Sequence, residues 1–140
     1  MGDSDCPFRA MEQLLGELQP KPPVIIVDFH AEATSEKVAM GRYLDGRVSA
    51  VLGTHTHVGT IDAQVLPQGT AYVTDIGMTG PEDSVNGDDT ESVIQRFLTK
   101  MPHHLSVGKG KAVLNAVMVR VATATGRAVE IERICGRVEK

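Results

Sequence analysis

The chain has no tryptophan, and aromatic residues make up only 4% of its 140 residues. A core built from it must be mostly aliphatic, and a hydrophobic fraction of 41% is enough for one. Cysteine is scarce as well. Cys6 and Cys135 stand far apart without Cys-x-x-Cys spacing, which excludes a disulfide framework. A reducing cytoplasm is the expected compartment. No apolar run approaches a membrane span and no leader-like stretch opens the sequence, so no membrane partner is expected. Met1-Gly2 invites comparison with a myristoylation motif, but position 6 is Cys rather than Ser or Thr. Basic clusters are also missing. Lys and Arg number 14 against 18 Asp and Glu, for a net charge of −4, so no dedicated nucleic-acid surface is expected. Phosphate-containing substrates stay compatible with that charge, because bound metal ions can supply the positive counterpart. The length suits a single domain.

What is present is concentrated in three histidines. Val24-Ile25-Ile26-Val27-Asp28-Phe29-His30 is a β-branched run that stops at His30. Val48-Ser49-Ala50-Val51-Leu52 leads into Gly53-Thr54-His55-Thr56-His57. Both runs are bounded by Pro or Gly and read as buried strands of a parallel sheet. The stretch between them reads as a helix, with Thr34 as its N-cap, Glu36 in its first turn and Val38, Met40, Tyr43 and Leu44 as its apolar positions. The unit is therefore β-α-β. Ligands of open α/β sheets gather beyond the carboxyl ends of the strands, where all three histidines fall. Imidazole is the commonest metal ligand among side chains, so a metal site is one reading. A lone His at a strand end is more often a surface or hydrogen-bonded residue, and His-x-His shares a strand face for many reasons.

The remainder organises around these runs. Pro7 opens a helix carrying Phe8, Met11, Leu14, Leu15 and Leu18, after a loose segment over 1–7. Short strands over 63–66 and 70–74 flank Pro67-Gln68-Gly69, a hairpin. A Gly- and hydroxyl-rich loop runs from Asp75 to Asp89, a length that is usually functional or mobile. Thr90 to Lys100 reads as a helix with Val93, Ile94 and Phe97 on one face. Strands over 112–122 and 128–134 form a second hairpin. There is no internal repeat.

The segments Val27-Asp28-Phe29-His30-Ala31-Glu32-Ala33-Thr34-Ser35-Glu36-Lys37, Tyr43-Leu44-Asp45-Gly46-Arg47, Gly53-Thr54-His55-Thr56-His57-Val58 and Thr74-Asp75-Ile76-Gly77-Met78-Thr79-Gly80-Pro81 resemble, in this order, the bacterial YmdB-like metallophosphoesterases of the calcineurin-like superfamily. The resemblance runs from the first helix to Ile134. It implies an α/β fold, a β-sandwich flanked by helices. It also implies two metal ions, iron or manganese, and phosphodiesterase activity on cyclic nucleotides such as 2′,3′-cyclic AMP. By motif match His30 and His55 look like ligands of one metal and His57 of the other.

The resemblance also implies a departure. Family members carry a further half-domain with an Asp, a Glu-Asn pair bridging the metals, and an Asn-His motif whose His is the general acid. No Gly-Asn-His occurs here, the only Asn residues are Asn86 and Asn115, and Met1-Gly2-Asp3 follows no apolar run. Residues 1–140 are therefore expected to be a partial metallophosphoesterase domain, its C-terminal half, with no catalytic residue of its own and an incomplete metal site. Its partners would be a phosphodiester small molecule and either an N-terminal half or another copy pairing with an open sheet edge.

Around the histidines, Asp28 shares the strand face of His30 and suits orienting an imidazole N–H, or simply bonding nearby backbone. Glu32, Thr54 and Asp62 are further candidates beside the metals or substrate, with Asp62 equally a turn former. His103 and His104 read as solvated. The Gly77-to-Pro81 run is either a phosphate-facing loop or a rigid turn. Three functions stand: a two-metal phosphoesterase represented by one half, a non-catalytic metal-binding or oligomerisation module, and a mononuclear His₃ zinc hydrolase.

Overall fold

The computed structural model describes residues 5–138, so the Met1-Gly2-Asp3 opening lies outside the described residues. Helix α1 spans Pro7–Glu17, strand β1 Ile26–His30, helix α2 Thr34–Tyr43 and strand β2 Ala50–Thr54. Strands β3 (Gln64–Val65), β4 (Ala71–Val73) and β5 (Gly80–Pro81) follow, then helix α3 (Thr90–Thr99) and the long strands β6 (Ala112–Ala122) and β7 (Arg127–Val138). Two sheets result. The first has the order β1-β2-β4-β3, and the second β5-β6-β7.

The β-α-β unit is parallel as the sequence suggests, with Val27 opposite Val51 and His30 opposite Thr54. Both strands begin two residues later than their apolar runs and extend to the polar rim. Period-2 alternation divides the core. Val27 and Phe29 of β1, Val51 of β2 and Tyr72 of β4 face Met40 and Leu44 of α2 and Phe8, Met11 and Leu15 of α1. On the other face, Ala50 and Ala71 meet Ala128, with Leu52, Val65, Val119 and Ile131 around them. Alanines here let β6 and β7 approach closely. Gly41 plays the same part under α2, where a Cβ would come within 2.4 Å of the Tyr72 ring.

Both predicted hairpins form. β3 pairs antiparallel with β4 around a turn in which Gly69 adopts φ 96°, and β6 pairs with β7 along nearly its whole length. At the end of the Gly77-to-Pro81 run, Gly80 and Pro81 pair with Val113 and Ala112 and join the second sheet. A two-residue strand containing proline carries no periodicity to read.

Three expectations need correction. Ala33, not Thr34, occupies the N-cap of α2, and no side chain caps it; Thr34 already lies in the first turn. Strand β1 is not buried on both faces. Ile26, Asp28 and His30 are exposed, because β1 is the sheet edge and the second sheet covers β2 to β4 but not β1. On α3 only Val93 is buried, while Ile94 and Phe97 stand open. Among the described residues no helix is long and apolar enough to cross a membrane.

Candidate functional site

The parallel strands deliver His30 and Thr54 side by side at their carboxyl ends. The Thr54 hydroxyl donates to Asp28 Oδ1 at 3.1 Å, and His30 Nδ1 lies 3.1 Å from the same hydroxyl. A hydroxyl has one proton. With that proton spent on Asp28, the bond to His30 must run the other way, from Nδ1–H to Thr54 Oγ1. His30 Nε2 is then left with its lone pair. His55 Nδ1 sits 3.1 Å from it, and the two rings meet edge to face with centroids 4.9 Å apart. The network thus assigns a tautomer to His30 and turns its free nitrogen toward His55.

That spacing has a second meaning. Two nitrogens on one ion, with bonds of about 2.0–2.1 Å at roughly 90–110°, lie about 2.9–3.4 Å apart. The His30–His55 pair therefore fits two adjacent positions of a coordination sphere, given only a change of tautomer at His55. His57 makes a separate contact. Its Nδ1 lies 2.9 Å from the Asn86 carbonyl, which can only accept, so Nδ1 carries the proton and in the neutral ring Nε2 keeps its lone pair. Among the described residues no three His, Cys, Asp or Glu side chains form a group ready to hold a metal ion. The structure brings together His30, His55, Thr54 and Asp28, and ties His57 to a different loop.

The other candidates lie apart. Glu32 is exposed, and among the described residues no hydrogen bond or ion pair ties it to the histidines. Asp62 accepts from Thr60 Oγ1 at 2.6 Å and from the Thr74 backbone and hydroxyl, which ties its loop to the end of β4. Burial pushes its carboxyl up, but those hydrogen bonds prevail and hold it below the usual range. His103 and His104 are exposed, as expected. Two cavities also lie elsewhere. One of about 260 Å³ is lined by Lys21, Arg47 and Arg127 at the opposite end of the strands, and another of about 600 Å³ sits beside α3. The histidine rim is an open surface.

Sequence reasoning missed what lies beneath that rim. Lys37 and Asp75 form an ion pair at 2.9 Å with both side chains 1% exposed. Lys37 Nζ also donates to the Thr54 carbonyl at 2.6 Å, and Asp75 accepts from the backbone N–H groups of Thr56 and Gly77. Burial pushes Asp75 up, but the Thr56 N–H, the Lys37 ammonium and the Gly77 N–H outweigh it and hold the carboxyl low. Arg133 of β7 adds a further clamp, donating to the carbonyls of Thr60, Asp75 and Ile76. One signal was available for Lys37. It falls in step with Met40, Gly41 and Leu44 on the buried side of α2, and a lysine there demands a partner.

Comparison with known proteins gives this geometry a context. The chain is 52% identical over 130 residues to a 2′,3′-cyclic-nucleotide 2′-phosphodiesterase of Bacillus subtilis, covering 93% of the chain and 49% of that protein. It is 41% identical to a putative phosphatase/phosphodiesterase of Mycoplasma pneumoniae, covering 91% of the chain and 45% of the relative. The chain thus spans about half the length of these relatives. A crystal structure of a hypothetical protein from Thermus thermophilus superposes with a TM-score of 0.90 at 47% identity, over 98% of this chain and 53% of that one. A crystal structure of a novel phosphatase from Mycoplasma pneumoniae gives 0.86 at 39% identity, over 94% of this chain and 46% of that one. The mixed α/β architecture is thus shared with a solved phosphatase. The family model described as YmdB-like protein matches residues 1–134, and the chain belongs to that family.

Proposed function

We propose that the His30–His55 rim, with His57 beside it, is the histidine side of a metal-dependent phosphodiesterase site acting on small phosphodiesters such as 2′,3′-cyclic nucleotides. The observation that carries this reading is the 3.1 Å separation of His30 Nε2 and His55 Nδ1. The activity named for the Bacillus subtilis relative supports the substrate class. His30 and His55 would hold one ion, and Nε2 of His57 would serve a second. When bound, such ions polarise phosphoryl oxygens and stabilise developing charge, with iron or manganese the expected metals.

The chain's own residues set up that binding. Asp28 and Thr54 fix the His30 tautomer, and the Asn86 carbonyl fixes that of His57. The three imidazoles bring no negative charge of their own when neutral, so they do not repel a phosphodiester. They also provide no bridging carboxylate. A non-catalytic metal-binding module is the second reading. The lack of a three-donor group among the described residues favours it over a mononuclear His₃ zinc hydrolase.

Calorimetric titration of the 140-residue chain with Mn²⁺ tests the site. Binding is expected, weaker than in a relative of full length, and abolished in His30→Ala/His55→Ala. Equal affinity in the double variant would show that the histidines are not the site. On bis(p-nitrophenyl) phosphate or 2′,3′-cyclic AMP, little turnover is expected from this chain alone. A positioned proton donor contributes about 10²–10⁴-fold, and the sequence has no Asn-His pair to supply one. Robust turnover that is lost in His57→Ala would establish a self-sufficient site instead.

A further inference from the structure

We propose that Lys37 and Asp75 are positioning residues for His55: their buried ion pair grips the peptide units on both sides of it and sets its imidazole against His30. The inference rests on reading His30 and His55 as a donor pair. It begins with the backbone. His55 adopts φ 111°, a conformation that side chains other than glycine rarely hold. Such strain persists only where the surroundings over-determine it.

The surroundings here are the ion pair. The peptide before His55 presents the Thr54 carbonyl, held by Lys37 Nζ at 2.6 Å. The peptide after it presents the Thr56 N–H, held by Asp75 Oδ2 at 2.8 Å. Lys37 and Asp75 bond each other at 2.9 Å, which joins the two grips. Asp75 is itself anchored by the Gly77 N–H at 2.9 Å, and the Gly53 carbonyl accepts from the Ile76 N–H at 2.9 Å. The turn also rests directly on the end of β4. A Cβ on Gly53 would stand 1.8 Å from the Thr74 carbonyl oxygen.

Stability alone is a poor reason for this pair. Buried ion pairs are often replaceable by apolar side chains of similar volume at little cost. What an apolar pair cannot supply is a donor aimed at the Thr54 carbonyl and an acceptor aimed at the Thr56 N–H. Without them the turn is free to relax toward an ordinary φ, which swings the ring away from His30.

The test uses the 140-residue chain without metal first. Long-range ¹H–¹⁵N spectra report the tautomers of each imidazole. In the wild type His30 should read as the Nδ1–H tautomer with Nε2 accepting a hydrogen bond. Lys37→Met and Lys37→Met/Asp75→Asn should keep the circular dichroism and the His103 signals but lose that pairing. Should the single variant fail to fold, the double variant carries the test, because it leaves no uncompensated charge. Co²⁺ affinity should then fall by about 10–100-fold, the usual loss when a group that orients a ligand is removed. A folded double variant with unchanged imidazole spectra and unchanged Co²⁺ affinity would overturn the proposal. A wild type that shows the ring pairing but binds no Co²⁺ would reject the metal reading, while loss of the pairing in the variants would still support the positioning role.

Discussion

At the carboxyl end of the parallel strands, Lys37 and Asp75 meet with both side chains 1% exposed. At the amino end, Arg47 and Glu12 meet on the surface, with side chains 37% and 47% exposed. The chemistry is the same and the consequences differ. Glu12 is drawn down to about 2, first by its hydrogen bond from Arg47 and then by that from Tyr43, yet solvent and salt screen the pair. Asp75 is held low against its own burial, by two backbone N–H groups as well as by the lysine. The surface pair fastens α1 to the segment after α2 and touches nothing reactive. The buried pair is built into the backbone of the histidine turn. Burial turns an ordinary contact into a constraint, because neither member can find water as a substitute.

Removing one member of each pair should separate the two regions most widely. Lys37→Met leaves Asp75 buried and unpaired, and a loss of about 3–5 kcal/mol is expected in urea unfolding. Full recovery of stability is not required of Lys37→Met/Asp75→Asn, but it should unfold at higher urea than the single variant. Close-approach glycines give the next contrast. Gly53→Ala drives a Cβ into the Thr74 backbone at 1.8 Å, and should cost more than Gly126→Ala at the other end, where the Pro23 carbonyl lies at 2.5 Å in a hairpin tip that can yield. Gly126 sits at φ 72°, so a loss of about 1–3 kcal/mol is expected there. Similar losses at both positions would show that the two ends are equally rigid.

Acid and salt give the smaller effects. Both carboxyls are lowered in the folded state, so each contributes stability that is complete above its ordinary value of 3.8 or 4.5 and is lost as pH falls below it. High salt should weaken the Glu12 share and spare that of Asp75. Glu12→Gln should be the mildest change of all and should remove most of the salt sensitivity between pH 4 and pH 7, a range in which roughly all of the Glu12 charge is retained. A salt response that survives in Glu12→Gln would place the screened charges elsewhere.

The parts of this molecule that were legible in the sequence share one property: a pattern that repeats. The apolar runs before His30 and Gly53, the helical spacing from Phe8 to Leu18 and the turn at Pro67-Gln68-Gly69 all announce their elements. The meeting of His30 with His55 follows from the parallel register those runs impose. What stayed hidden has no period. Lys37 counts as polar in any hydropathy reading, though its place beside Met40 and Gly41 is internal. Asp75 lies in a glycine- and hydroxyl-rich stretch that reads as open loop. β5 is two residues long. The open face of β1 depends on how far β6 and β7 reach across the sheet, a tertiary property that the residues of β1 do not encode.

Arg133 carries a kinetic consequence. It reaches back 73 residues to Thr60 and 57 to Ile76, and a Cβ at Gly59 would meet its guanidinium at 2.0 Å. Contacts of such long chain separation close late, because the entropy of the intervening loop must be surrendered first. The β-α-β unit can assemble from neighbours in sequence, but the Arg133 clamp on the turn that follows the histidines closes only when the β6–β7 hairpin docks. Refolding followed by pulsed hydrogen exchange should therefore show β1 and β2 protected early and the Ala128 amide, which donates across the sheets to the Gly69 carbonyl, protected late. The turn beside the rim thus gains its last clamp when the two sheets meet, and loses it first when they part.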